Sequence, residues 1–265
     1  MNVADYIIDA NQVIGVGYSF VVQSMNKKDN SWAAAKLFEV DRDVSLGLYE
    51  NESKILRYLN AKPHSNIIQM KASNIINNVG VIVMEQLDSD FLDLLIDDKL
   101  SVTQKMKIYV DTCKAVKHCH DNDVAHLDIK PENILVNIHN MDVKLADFGT
   151  SQIMNDDDKV YNVTGTIEYS PPEVLNSSSK SIDGKKVDMW GLGMLLHVLL
   201  TGVWPLRTGE KQSLNSQITD GKIILSSDLS KDYSKLILSL LSLKPSERPS
   251  ISDLLSSPIL KPWRT

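Results

Sequence analysis

The first third of the chain alternates on a short period. Runs of apolar and β-branched residues at Ile7–Ile14, Ser19–Ser24, Trp32–Phe38, Ile67–Met70 and Val79–Glu85 predict strands, while Leu46–Leu59 predicts the one helix among them. The run Val79-Gly-Val-Ile-Val-Met84 is nearly all apolar, as a buried strand requires. Asp88, Ser89 and Asp90 then make a short polar break with the character of a hinge.

Behind this break the period lengthens. Ser101-Val-Thr-Gln104 predicts a capping box that opens a helix running to about Asn122, with Met106, Tyr109, Val110, Cys113 and Val116 spaced for one buried face. Lys186–Thr201 is apolar on most sides, so a helix there belongs inside its lobe. Ser234–Leu243 and Ser250–Ser256 predict two last helices, with Pro245 expected to stop the first. The expected fold class is therefore α+β. One domain over residues 1–265 divides into a small β-rich lobe to about residue 86, a hinge at about 85–90 and a larger helical lobe from about 91.

Composition narrows the picture. With 28 Lys+Arg against 34 Asp+Glu the formal charge is -6, which excludes a generic basic nucleic-acid binder. The hydrophobic fraction of 43% supports a sizeable core. The most apolar stretch, Met189–Leu200, is short and holds His197, whereas a membrane-crossing helix needs about 20 apolar residues, so no span is expected. Met1–Ala10 lacks a basic region ahead of an apolar run, so no signal peptide is expected there. Cys113 and Cys119 have neither a C-x-x-C pair nor a zinc pattern around them and read as packed thiols in a reducing compartment, cytoplasmic or nuclear.

The densest chemical signal is Ala125-His-Leu-Asp-Ile-Lys-Pro-Glu-Asn-Ile-Leu135, followed by Asp147-Phe-Gly149. A lone D-x-K-P-x-N would be an Asx-rich turn; its coupling to a second carboxylate motif favours chemistry. Upstream stand Gly15-Val-Gly17-Tyr-Ser-Phe20-Val-Val22 between two strands, and Ala33-Ala-Ala-Lys36 at a strand end. Downstream stands Gly165-Thr-Ile-Glu-Tyr-Ser-Pro-Pro-Glu173. Together these resemble the eukaryotic protein kinase family of serine/threonine type, nearest in motif to its calmodulin-dependent and myosin-light-chain-kinase-like branch.

The resemblance implies a bilobal kinase fold that transfers the γ-phosphate of ATP to Ser/Thr hydroxyls of protein substrates, with Mg²⁺ as cofactor. Asp128 matches the carboxylate that receives the hydroxyl proton, Lys130 the cation that reaches the γ-phosphate, and Thr166 the hydroxyl set against both. Asn133 and Asp147 match the metal ligands, and both offer the hard oxygens Mg²⁺ prefers. Gly15 and Gly17 match the phosphate-covering loop, which has Phe20 where the family has a third glycine and Ser19 where it has an aromatic. Lys36 matches the nucleotide lysine and Glu52 its helix partner, Glu50 being the competing choice. A surface pair of this kind contributes about 0–1 kcal/mol, so its expected work is positioning.

In the same alignment Met84 stands at the back of the adenine pocket, Glu85 and Leu87 on the hinge, and Asp90 at the ribose or a basic substrate residue. Val22, Ala34 and Leu135 would sandwich the adenine ring, and would equally serve as ordinary core. Glu173 and Arg248 match an anchoring ion pair, and Asp188 a cap on the catalytic-loop backbone. Leu127 replaces the arginine that normally grips a phosphate on the activation segment, which implies activity without phosphorylation of Tyr161 or Thr164. Acidic Asp90 and Glu132 imply substrates with a basic residue upstream of the acceptor. The competing reading is a pseudokinase or scaffold with Phe20, Leu127 and Pro171 as departures; Lys36, Glu52, Asp128, Asn133 and Asp147 together argue for the active enzyme.

Overall fold

Strand period rather than strand number decides which residues reach the cleft. A computed structural model describes residues 1–16, 19–40, 43–176, 181–206 and 213–264, the side chain of Val16 excepted. The smaller lobe is an antiparallel sheet of β1 (Asn2–Val3), β2 (Tyr6–Val16), β3 (Phe20–Asn26), β4 (Trp32–Glu39), β5 (Met70–Ile76) and β6 (Val79–Glu85), in the order β1-β2-β3-β4-β6-β5. Helix α1 (Asp43–Asn60) lies between β4 and β5 in the chain.

Alternate side chains leave a strand on opposite faces, and each face here buries its own cluster. One holds Val3, Ile8, Val22, Ala33, Ala35, Val81 and Val83. The other holds Ala34, Phe38, Ile82 and Met84, continues through Ile55, Leu56 and Leu59 of α1, and joins the core of the larger lobe. This sorting corrects one expectation. Val22 pairs with Ala35 and is 1% exposed in the first cluster, away from the face that carries Ala34 and Lys36. Val21, opposite Lys36, packs against the second cluster and is the β3 valine on the cleft side. Gly15 pairs directly with Val21, and because side chains alternate, a one-residue shift in register exchanges the two faces.

The expected strand at Ile67–Met70 is also corrected. Ile67 makes only an isolated parallel bridge to Leu145, and Ile67 and Ile68 are buried plugs between the lobes, Ile68 N donating to the Leu145 carbonyl at 3.0 Å. The strand proper starts at Met70.

The larger lobe runs β7 (Ser89–Asp90), α2 (Phe91–Ile96), α3 (Val102–Asp121), β8 (Val124–Ala125), β9 (Ile134–Val136), β10 (Val143–Leu145), β11 (Gln152–Ile153), β12 (Lys159–Val160), α4 (Pro172–Leu175), β13 (Ile182–Asp183), α5 (Gly184–Thr201), α6 (Leu214–Thr219), α7 (Lys231–Leu240) and α8 (Ile251–Ser256). The capping box of α3 forms as read, with Gln104 N donating to Ser101 Oγ at 3.3 Å and Ser101 N to Gln104 Oε1 at 3.0 Å. Every residue of α5 from Val187 to Leu199 is buried, which explains its apolar circumference. Gly191 lets the loop after β8 lie against α5: a Cβ there would stand 2.9 Å from Ile129 Cβ. Pro245 does not stop α7, which ends at Leu240; it opens a separate turn, Pro245–Glu247, whose first position suits its fixed φ. Among the described residues no helix is long and apolar enough to cross a membrane.

Candidate active site

The cleft between the lobes gathers residues from both. Lys36, on the face of β4 turned toward α1, places Nζ 2.8 Å from Glu52 Oε2 and 2.9 Å from Asp147 Oδ1. Glu50, the competing partner, is exposed. The Glu52 side chain is 1% exposed, so the surface figure for such a pair does not apply here. Burial opposes charge on the Lys36 amine, but the Glu52 and Asp147 carboxylates outweigh it and hold the group above its ordinary range. Burial likewise raises the Glu52 carboxyl, with Lys36 opposing. At Asp147 burial acts upward, yet the Lys36 ammonium and the Gly149 N–H, 3.3 Å away, keep the carboxyl below the usual range. About half of the Asp147 side chain faces open space (48% exposed), and its backbone sits at φ 58°.

The loop after β8 supplies a second group. Asp128 Oδ1 accepts the Thr166 N–H at 2.9 Å, while Oδ2 accepts Asn133 Nδ2 at 3.0 Å and stands 2.9 Å from Lys130 Nζ. Lys130 Nζ also donates to Thr166 Oγ1 at 2.7 Å. Burial pushes Asp128 upward, and the Lys130 ammonium with the Thr166 N–H more than offsets it, so the carboxyl lies below its ordinary range. The loop hangs on buried Asp188 of α5, which accepts His126 N at 2.9 Å, Leu127 N at 2.7 Å and His120 Nε2 at 2.8 Å. His126 donates Nε2–H to the Ala146 carbonyl at 2.9 Å and so ties this loop to the segment carrying Asp147.

Asn133 and Asp147 are the residues expected to hold a metal, and their segments meet where Ala146 N donates to the Asn133 carbonyl at 2.9 Å. Asn133 Nδ2 is engaged by both the Asp128 carbonyl (2.7 Å) and its carboxylate, which leaves Oδ1 as the amide atom with lone pairs to offer. With Asp147 Oδ1 taken by Lys36, Oδ2 is the carboxylate oxygen left to it. Two hard oxygens fit Mg²⁺, which keeps several waters and accepts phosphate oxygens for the remainder of its octahedron.

The residues assigned to the adenine slot divide. Met84 (7% exposed) and Ala34 face each other across β6 and β4, and Leu135 of β9 is half-buried between the fully buried Ile134 and Val136. Leu87 packs half-buried against the main core. Glu85 turns its carboxylate to the Gln69 N–H at 2.8 Å and to Lys144 at 3.2 Å, and donates its own N–H to the Gln69 carbonyl at 3.1 Å. Asp90 caps α2, accepting the Asp93 N–H at 2.9 Å, and burial raises its carboxyl. Val22 lies in the cluster on the opposite face, and Val21 takes the side that carries Ala34 and Lys36; because both are valine, alternation alone could not choose between them. Gly17 lies outside the described residues. Phe20 pairs with Leu37 on the face that carries Val22, away from the cleft.

A strand lysine held by a helix glutamate, facing two loop carboxylates between a sheet lobe and a helical lobe, is the arrangement of a kinase fold. The family model for the protein kinase domain matches residues 8–260, and the chain belongs to that family. It is 32% identical over 249 residues to a carbon catabolite-derepressing protein kinase of Secale cereale, covering 92% of this chain and 49% of that protein. It is 31% identical over 261 residues to the serine/threonine-protein kinase par-4 of Caenorhabditis briggsae, covering 93% and 40%. Sperm motility kinase Z of Mus musculus is 33% identical over 162 residues, 61% of this chain and 32% of that protein. The chain thus spans about a third to a half of the curated relatives it matches.

Proposed function

We propose that this chain is an ATP- and Mg²⁺-dependent protein serine/threonine kinase, with Asp128, Lys130 and Thr166 as its catalytic set. One observation carries the reading: the Asp128 carboxylate, the Lys130 ammonium and the Thr166 hydroxyl are joined by contacts of 2.7–2.9 Å at the floor of the cleft. The Asp128 carboxyl is held low, so at neutral pH it is a ready acceptor for the proton of a Ser or Thr hydroxyl. As that oxygen forms its bond to the γ-phosphorus, the bond to the β,γ-bridging oxygen breaks and the proton passes to Asp128. Lys130 balances charge on the transferring group, and Thr166 keeps Lys130 and Asp128 at fixed separation. Lys36, steadied by Glu52, holds phosphate oxygens of the nucleotide. Asn133 and Asp147 would hold Mg²⁺, which supplies charge neutralisation along the phosphates.

The activation segment needs no phosphate in this reading. Leu127 is 5% exposed and packs with Ala125, Met154, Val160, Ile182 and Val187, so an apolar cluster occupies the place of an arginine–phosphate grip. The same Leu127 supports kinship with the myosin-light-chain-kinase-like branch. Glu132 Oε2 is buried without a hydrogen-bond partner among the described residues, which supports a substrate with a basic residue upstream of its acceptor. Cys113 and Cys119 are free, buried and raised by that burial, in keeping with a cytoplasmic or nuclear site.

The test is transfer from γ-labelled ATP with Mg²⁺ to a library of serine and threonine peptides. Labelled phosphoserine or phosphothreonine, strongest with upstream Arg or Lys, is expected; label on no hydroxyl would overturn the reading. The Tyr161→Phe/Thr164→Ala double variant should retain activity within tenfold of the parent, and a larger loss would reject phosphate independence.

A further inference from the structure

Asn51 precedes Glu52 on α1, and no motif points to it. Its Nδ2 donates to the Gly149 carbonyl at 2.8 Å and to the Ser151 carbonyl at 2.9 Å. Both amide protons are thereby engaged by the backbone that follows Asp147. That backbone is fastened to the larger lobe by other contacts: Ser151 Oγ donates to the His126 carbonyl at 3.1 Å, and Gln152 of β11 pairs with Ala125 of β8.

The Lys36–Glu52 pair joins two elements of the smaller lobe, 16 residues apart. Asn51 instead reaches 98 and 100 residues along the chain and bridges the lobes. The approach is close: a Cβ on Gly149 would stand 3.3 Å from Asp147 Oδ1, 3.6 Å from Glu52 Oε2 and 3.8 Å from Leu48 Cδ2. Glu52 is next to Asn51 on the helix and binds Lys36, which also binds Asp147, so sliding α1 away from this segment strains both ties together.

We propose that Asn51 is a positioning residue that fixes α1 against the segment after Asp147, and through it the carboxylate assigned to Mg²⁺. The proposal deepens the kinase reading and rests on it. The chemistry required is narrow: two N–H donors on a short, neutral side chain. Aspartate has the same shape but aims charge at two carbonyl oxygens, and leucine has similar bulk without a donor.

The experiment uses the full chain with Asn51→Asp and Asn51→Leu, read by hydrogen exchange and by Mg²⁺ titration of transfer at saturating ATP. Loss of two neutral hydrogen bonds should raise exchange in residues 147–153 by a factor of roughly 5–30 in both variants, with α3 unchanged. Half-saturation by Mg²⁺ should rise by a similar factor, while ATP affinity measured in EDTA stays as in the parent. Parent-like exchange at 147–153, an unmoved Mg²⁺ requirement, or acceleration spread equally through α3 would overturn the role. The exchange readout needs no turnover, so failure of the kinase reading would appear separately, as undiminished transfer by Asp128→Ala.

Discussion

Asp188 and Leu127 meet through a backbone N–H at 2.7 Å, and the residue so held has a left-handed φ of 70°. A side chain in that region costs about 1–2 kcal/mol relative to ordinary backbone. The buried carboxylate of α5 compensates by accepting the N–H groups of His126 and Leu127 together. The geometry of the loop carrying Asp128 thus depends on a buried residue of α5.

Replacing Asp188 with Ala leaves those two buried N–H groups and His120 Nε2 without their acceptor. Each orphaned buried donor costs about 1–3 kcal/mol, so the three together should cost about 3–9 kcal/mol in urea unfolding, accompanied by a fall in turnover. Stability equal to the parent would show that the loop is held by other contacts.

Arg248 and Glu173 make a bidentate pair at 2.6 and 2.8 Å, with the Arg248 side chain 0% exposed and lying 5.0 Å from the Trp190 ring centroid. Breaking a buried pair costs about 3–5 kcal/mol. Arg248 also donates to the carbonyls of Ser242 and Lys186, so Arg248→Met should destabilise more than Glu173→Gln in the same unfolding assay. The reverse order would mean that the pair, not the backbone contacts, dominates.

Val21 and Val22 separate a ligand contact from a core contact. Val21→Ala should raise KM for ATP with little change in unfolding, because its side chain borders the cleft face with Ala34. Val22→Ala should leave KM alone and lose about 1–3 kcal/mol, since it empties part of the closed cluster with Ala33 and Ala35. Exchanged phenotypes would restore the register that motif counting suggests.

Those two valines mark how far the sequence could be read. Lys36, Glu52, Asp128, Lys130, Asn133 and Asp147 stand out in the sequence as functional groups at fixed spacing, and the structure joins them in two contact groups, Lys36 with Glu52 and Asp147, and Asp128 with Lys130 and Asn133. The helices from Val102 and Gly184 were legible because caps and apolar circumference are local. The register of β3 was not, since two neighbouring valines satisfy either phase. Ile67 and Ile68 carry a strand's composition but serve as plugs between lobes, a tertiary demand with no local mark. Asn51 was invisible because its partners are main-chain carbonyls far along the chain.

His64 and His118 stack with ring centroids 4.8 Å apart, where the loop after α1 meets α3. Burial, His118, Lys114 and Lys144 lower the His64 imidazole from its ordinary value near 6.5, with Asp111 opposing. A histidine with a depressed folded-state value stabilises fully above about 6.5, and that stability is lost as pH falls below it. Urea midpoints should therefore drop between pH 7.5 and 5.5, and His64→Asn, which keeps an acceptor for the Asn66 N–H, should shrink the drop. An identical pH dependence in that variant would remove His64 as its source.

The central claim, that Asp128 accepts the proton of the attacking hydroxyl, is tested most directly by single-turnover transfer with Asp128→Ala at saturating ATP, Mg²⁺ and peptide. A general base is worth about 10²–10⁴-fold, so the rate should fall by that factor while ATP affinity stays constant. A variant that transfers phosphate as fast as the parent would contradict it.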